Sequence, residues 1–172
     1  VVAALLPYAD PVHKVTIVPR GQAMGVTQQL PEKEKYIYPR EYLLDRLAVI
    51  MGGRVAEHLV FDTATSGAAN DLMQATELAR KMVLDWGMSD QFEHLAWGSG
   101  RDQVFLGEEI AQRRNFSEAT AREVDNEIKK ILEVVYDRAR STLTENYDAL
   151  QRVAQALLAR EEISGEEVLD IV

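Results

Sequence analysis

Residues 121–140 read AREVDNEIKKILEVVYDRAR. Ala121, Val124, Ile128, Ile131, Val135 and Ala139 recur every three or four residues. That period lines one face of a helix, while Arg, Lys, Glu and Asp fill the other faces. The pattern is too long for a strand, and it predicts a helix from Ser117 to Thr142. C-terminal to it, Tyr147, Leu150, Val153, Ala154 and Leu157 mark a second helix. A third, short helix opens at Ser164, where Ser164 and Glu167 form a capping box and Ile163 and Val168 are spaced as a hydrophobic staple.

Towards the N-terminus the pattern stays helical as far as Pro39. Leu72, Ala75, Ala79, Met82, Val83 and Trp86 give one stripe, on a helix that stops at Gly87. Leu43, Leu44, Leu47, Ala48, Ile50 and Met51 give another, with Pro39 in its first turn. Gly52-Gly53 is expected to end or kink that helix, leaving RVAEHLVF (54–61) as a short further one. Before Pro39 the period falls to two. HKVTIVP (13–19) puts Val15 and Ile17 on one face, Arg20-Gly21 makes a turn, and AMGVTQQLP (23–31) returns as an antiparallel strand. Gly25 within it implies a bulge or a close backbone approach. Residues 31–38 form a polar loop, and 89–107 are irregular. Val1–Leu6 reads as the end of a helix, closed by Pro7, and the chain is therefore expected to be a fragment. The expected fold is mostly α, of the α+β class, with a small antiparallel sheet near the N-terminus followed by a helical bundle.

Composition narrows the function. The chain has 172 residues, 47% apolar, with net charge −9. Residues 107–172 hold 15 Asp and Glu against 9 Lys and Arg, the solvated faces of helices. No basic stripe exists to neutralise phosphates, so nucleic acid is not an expected partner. The absence of cysteine excludes disulfides, thiolate metal sites and cysteine nucleophiles. No apolar run reaches the length of a membrane span.

Single motifs say little. His13, His58 and His94 are isolated, and no H-E-x-x-H is present. GSGRDQ (98–103) lacks the third glycine of a dinucleotide fingerprint, and Ser66 lies outside any G-x-S-x-G. TSGAANDLMQAT (65–76) is different. Asp71 falls near the apolar face of its helix, where a carboxylate must be paired, protonated or bound to metal. An acid in a first turn also complements the helix dipole, so a capping role stands beside the metal role.

Five segments then stand together: VHKVTIVPRG (12–21), AMGVTQQLP (23–31), LAVIMGGRVAE (47–57), TSGAANDLMQAT (65–76) and ARKMVLDWGMSD (79–90). In this order and spacing they resemble the peptidase domain of the FtsH family, membrane-anchored, ATP-dependent zinc metalloproteases. The resemblance covers essentially residues 1–172, with a catalytic-side subregion at 1–105 and a C-terminal helical subregion at 106–172. It implies that the family's H-E-x-x-H helix runs into the segment matching Val1–Leu6, so that two zinc histidines and the general-base glutamate lie upstream of Val1. It also implies that Asp71 is the third zinc ligand, with Asn70 beside it either orienting it or capping the helix. The strand at Gly25, Val26 and Thr27 resembles the family's substrate-holding edge strand, and an ordinary edge strand with a bulge accounts for it equally.

The implied cofactors are zinc here and magnesium-ATP on an ATPase domain outside this chain. The implied partners are unfolded or membrane polypeptides and five further copies in a hexamer. The implied location is the cytoplasmic side of a bacterial inner membrane. Alone, the chain is expected to be inactive. A non-catalytic helical assembly domain, mediating ring formation, is the alternative.

Overall fold

The computed structural model describes residues 1–19, 25–30, 37–97 and 116–172. The 20–21 turn, the start of the second strand, most of the 31–38 loop and residues 98–107 lie outside them. A short helix α1 (Val2–Leu5) leads into strand β1 (Val12–Thr16) and strand β2 (Val26–Gln29). Helices α2 (Arg40–Phe61), α3 (Ala69–Leu84), α4 (Glu118–Glu145) and α5 (Tyr147–Arg160) follow, then strand β3 (Glu162–Ser164) and helix α6 (Gly165–Ile171). Mostly helical, with one small antiparallel sheet, the fold is the one expected.

The main core lies between α2, α3 and α4. Leu43, Leu47, Met51 and Val55 form the buried row of α2, and Ala75, Ala79, Met82 and Val83 that of α3. All six stripe residues of α4 are buried. Branched Val124, Ile128, Ile131 and Val135 fill the middle of that stripe, with the small Ala121 and Ala139 at its ends. Trp86, expected on the α3 stripe, is instead 43% exposed, because α3 ends at Leu84 and the chain turns through Gly87 at φ +58°.

Gly52-Gly53 neither ends α2 nor starts a second helix: α2 is continuous over 22 residues. Two interior glycines cost about 1 kcal/mol each relative to alanine. Buried Leu47, Ala48, Met51 and Val55 on either side of them outweigh that cost. Gly52 also has a packing reason, since a Cβ there would stand 3.2 Å from Val2 Cγ2 of α1.

The sheet runs β2-β1-β3, all antiparallel, so β2 is an edge among the described strands. Strand β3 carries no sequence signature, being three residues long. Its register, Val15 opposite Ile163, buries Ile163 with Val153, Leu157 and Val168 in a second core. On β1 the buried side chain is Thr16 rather than Val15 or Ile17. Its hydroxyl donates to the Glu161 carbonyl at 3.2 Å, which satisfies a polar group taken out of water. The irregularity between the first two strands lies at Val12/Lys14 of β1, not at Gly25. Helix α6 begins as the sequence indicates, with both capping-box bonds present.

Candidate metal and substrate site

Asp71 is the third residue of α3, half-buried. It makes no hydrogen bond and no ion pair among the described residues. Burial alone pushes its carboxyl above the ordinary value. A carboxylate in this condition lacks the compensation that partial burial demands. Its Oδ2 faces α2 at Gly53, where a Cβ would stand 3.9 Å away. Because Gly52 touches Val2, α1 and Asp71 meet α2 at one glycine step.

Helix α3 is held in that place by its entry loop. Glu57 of α2 accepts from the Thr65 hydroxyl at 2.6 Å and from the Thr65 amide at 3.4 Å. Arg54 pairs with Glu57 at 3.3 Å and donates to the Thr65 carbonyl at 3.0 Å. Thr65 in turn accepts from the Gly67 amide at 3.1 Å, capping the 3-10 turn Ser66–Ala68. The Thr65 hydroxyl holds the Glu57 carboxyl below its ordinary value, against an opposing burial cost, with the Thr65 amide and Arg54 adding to the lowering. This clasp fixes the start of the helix that carries Asp71. Sequence reasoning missed it, although Arg54 and Glu57 sit three apart on one helix face, a spacing at which opposite charges meet.

The other candidates separate. Asn70 is exposed and not bonded to Asp71 among the described residues. The Nδ1 atom of His58 lies 2.7 Å from the Tyr136 hydroxyl, His94 lies 3.0 Å from Glu93, and His13 is exposed on β1. Among the described residues no three His, Cys, Asp or Glu come together as a metal site. Asp71 thus fits a divalent metal as one oxygen ligand of a set. Ser66 belongs to the 3-10 turn, and GSGRDQ lies outside the described residues.

On the sheet, Val26 and Thr27 are exposed and, among the described residues, paired on one side only, with Thr16 and Val15. Gly25 does permit a close approach, but to β1: a Cβ would lie 2.7 Å from the Thr16 carbonyl oxygen. Among the described residues, the outer edge of β2 carries backbone groups with no neighbouring strand.

The model of peptidase family M41 matches residues 1–171. The chain is 62% identical over its full length to the ATP-dependent zinc metalloprotease FtsH 2 of Salinibacter ruber, covering 25% of that protein. It is 55% identical over 98% of its length to the ATP-dependent zinc metalloprotease FtsH of Acidimicrobium ferrooxidans, again 25% of the relative. A third relative, FtsH 3 of Petrotoga mobilis, is 47% identical over the whole chain, which covers 27% of it. The chain spans about a quarter of the length of these relatives.

Proposed function

The chain belongs to peptidase family M41, and from that premise we propose that it is the proteolytic domain of an ATP-dependent zinc protease acting on unfolded or membrane polypeptides. The observation that carries this reading is Asp71, a half-buried carboxylate with no partner among the described residues, beside the α2 glycine step. Asp71 supplies one ligand oxygen. The Arg54–Glu57–Thr65 clasp keeps that oxygen in place, as the supporting groups of metal sites do. Asn70 is assigned the adjoining position, from which its amide can support Asp71 once a metal is bound. The remaining ligands and the general base are assigned to the longer protein's H-E-x-x-H segment. When bound, zinc supplies a Lewis acid that polarises the scissile carbonyl and lowers the pKa of water to about 7.

Substrate binding falls to β2. An extended peptide adding to its free edge takes main-chain hydrogen bonds there, beside Gly25, Val26 and Thr27. The ATPase module with magnesium-ATP, the ring of six and the anchor in a bacterial inner membrane, with this domain on the cytoplasmic side, belong to the longer protein. No described helix here is long and apolar enough to cross a membrane. The 172-residue chain alone holds zinc weakly and hydrolyses no peptide, since one carboxylate is not a tetrahedral site.

The test uses the longer protein and unfolded casein with ATP. Asp71→Ala is expected to abolish proteolysis while ATP hydrolysis continues. Casein cleavage undiminished in that variant overturns the assignment.

A further inference from the structure

A cleft of about 280 Å³ opens between β2, the α1–β1 link and the first half of α2. Asp10, Gln29, Tyr38, Tyr42, Arg46 and Val49 line it. At the small end of ligand pockets, it has room for one side chain rather than a cofactor. Its polar groups are unequally engaged. The Tyr42 hydroxyl donates to Asp10 Oδ2 at 2.6 Å, and Gln29 Nε2 donates to the Asp10 carbonyl at 2.6 Å. Burial, with the Asp10 bond second, pushes the Tyr42 phenol up to about 12, so it keeps its proton for Asp10. Tyr38 stacks on Tyr42 with ring centroids 5.3 Å apart, closing the aromatic wall. Arg46, exposed, makes no hydrogen bond or ion pair among the described residues. On a chain of net charge −9, this guanidinium faces a cleft whose lining carboxylate, Asp10, takes the Tyr42 hydroxyl rather than Arg46 among the described residues.

Position ties this cleft to the peptide path. Tyr42, Arg46, Val49 and Gly53 fall at steps of four, three and four, which is one face of α2. The same face meets Asp71 at Gly53. Arg46 precedes Gly53 by seven residues, about 10 Å along the helix at 1.5 Å per residue. An extended peptide covers that distance in about three residues. The opposite wall is Gln29, the last residue of edge strand β2. We propose that this cleft is a specificity subsite that takes an acidic side chain about three residues from the scissile bond, with the Arg46 guanidinium receiving the carboxylate above the Tyr38–Tyr42 wall. The geometry of that recognition is the planar fork of arginine against a carboxylate. The assignment rests on the protease reading of the Asp71 site and on β2 as the peptide edge.

The experiment measures kcat/KM of the longer protein on fluorogenic peptides differing only in Glu, Gln, Leu or Lys, scanned from two to four residues on each side of the cleaved bond. At one position the Glu peptide is expected to be cut about tenfold better than the Lys peptide, the size of one charge-assisted hydrogen bond in partial contact with water. Arg46→Met is expected to bring that ratio to within about twofold, chiefly through KM, while Arg46→Lys retains part of it. Equal cleavage of Glu and Lys peptides at every position, or a preference that survives Arg46→Met, overturns the subsite. If the wild-type protein cuts none of the peptides, the protease reading fails. Fluorescence anisotropy of the same labelled peptides on wild type and Arg46→Met then decides the cleft separately: tighter binding of the Glu peptide that depends on Arg46 supports it, and no Arg46 dependence overturns it.

Discussion

Asp45 shows what a buried acid looks like when it is structural. Only 1% exposed, it takes the Arg138 guanidinium at 2.5 Å and the Tyr8 amide at 3.0 Å, so that α2, α4 and the exit from α1 share one carboxylate. Truncating one partner leaves the other charge stranded. Arg138→Met, which strands the buried Asp45 charge, is expected to lower stability by about 3–5 kcal/mol, read by urea unfolding. Asp45→Leu combined with Arg138→Met is expected to recover much of the loss, and additive losses would contradict the pairing. Asp71 stands in contrast, with burial and no such partner. Glu57 adds a dependence on pH. Its folded carboxyl lies below the ordinary 4.5, so the clasp's contribution is present above that value and is lost as the pH falls through the lowered one. Thr65→Val is expected to remove this acid-side loss from the stability profile and to weaken zinc binding in the longer protein by about tenfold. An unchanged profile and unchanged affinity would separate the clasp from Asp71.

At the scale of elements, legibility followed periodicity and caps. Helix α4 and the capping box of α6 were readable because six apolar positions keep one period and because Ser164 and Glu167 are local partners. Strand β3 was not, since three residues carry no period and its pairing with β1 joins positions nearly 150 apart. Helix α2 runs through Gly52-Gly53 because tertiary packing against Val2 overrides a local helix-ending signal. Asp71 could be singled out by its angle on α3, but the clasp joins two elements through a loop, a relation no single period encodes. Tight contacts give the sharpest element-scale test. A Cβ at Gly165 would fall 1.7 Å from the Val12 carbonyl oxygen, so α6 closes on β1 only with glycine there. Gly165→Ala is expected to cost about 3 kcal/mol, the upper end of overpacking, in spite of alanine's better helix propensity. Ser164→Ala, losing one capping bond, is expected to cost about 1 kcal/mol. Equal effects of the two in thermal unfolding would argue against the close packing.

For the whole molecule, the arrangement is a helical core that brings α1, the α2 glycine step and the start of α3 to one place, with an edge strand along one flank. None of the described residues completes a metal site around Asp71. The account therefore assigns the chemistry to this domain within a longer chain, consistent with relatives of which it spans about a quarter. The decisive measurement is zinc content per chain in the domain extended at its N-terminal end to the domain start of those relatives, with and without Asp71→Ala. The account predicts about one zinc per chain in the extended domain and a sharp fall in the variant. Zinc retained in full without Asp71, or none bound with it, would contradict the assignment of Asp71 as a ligand.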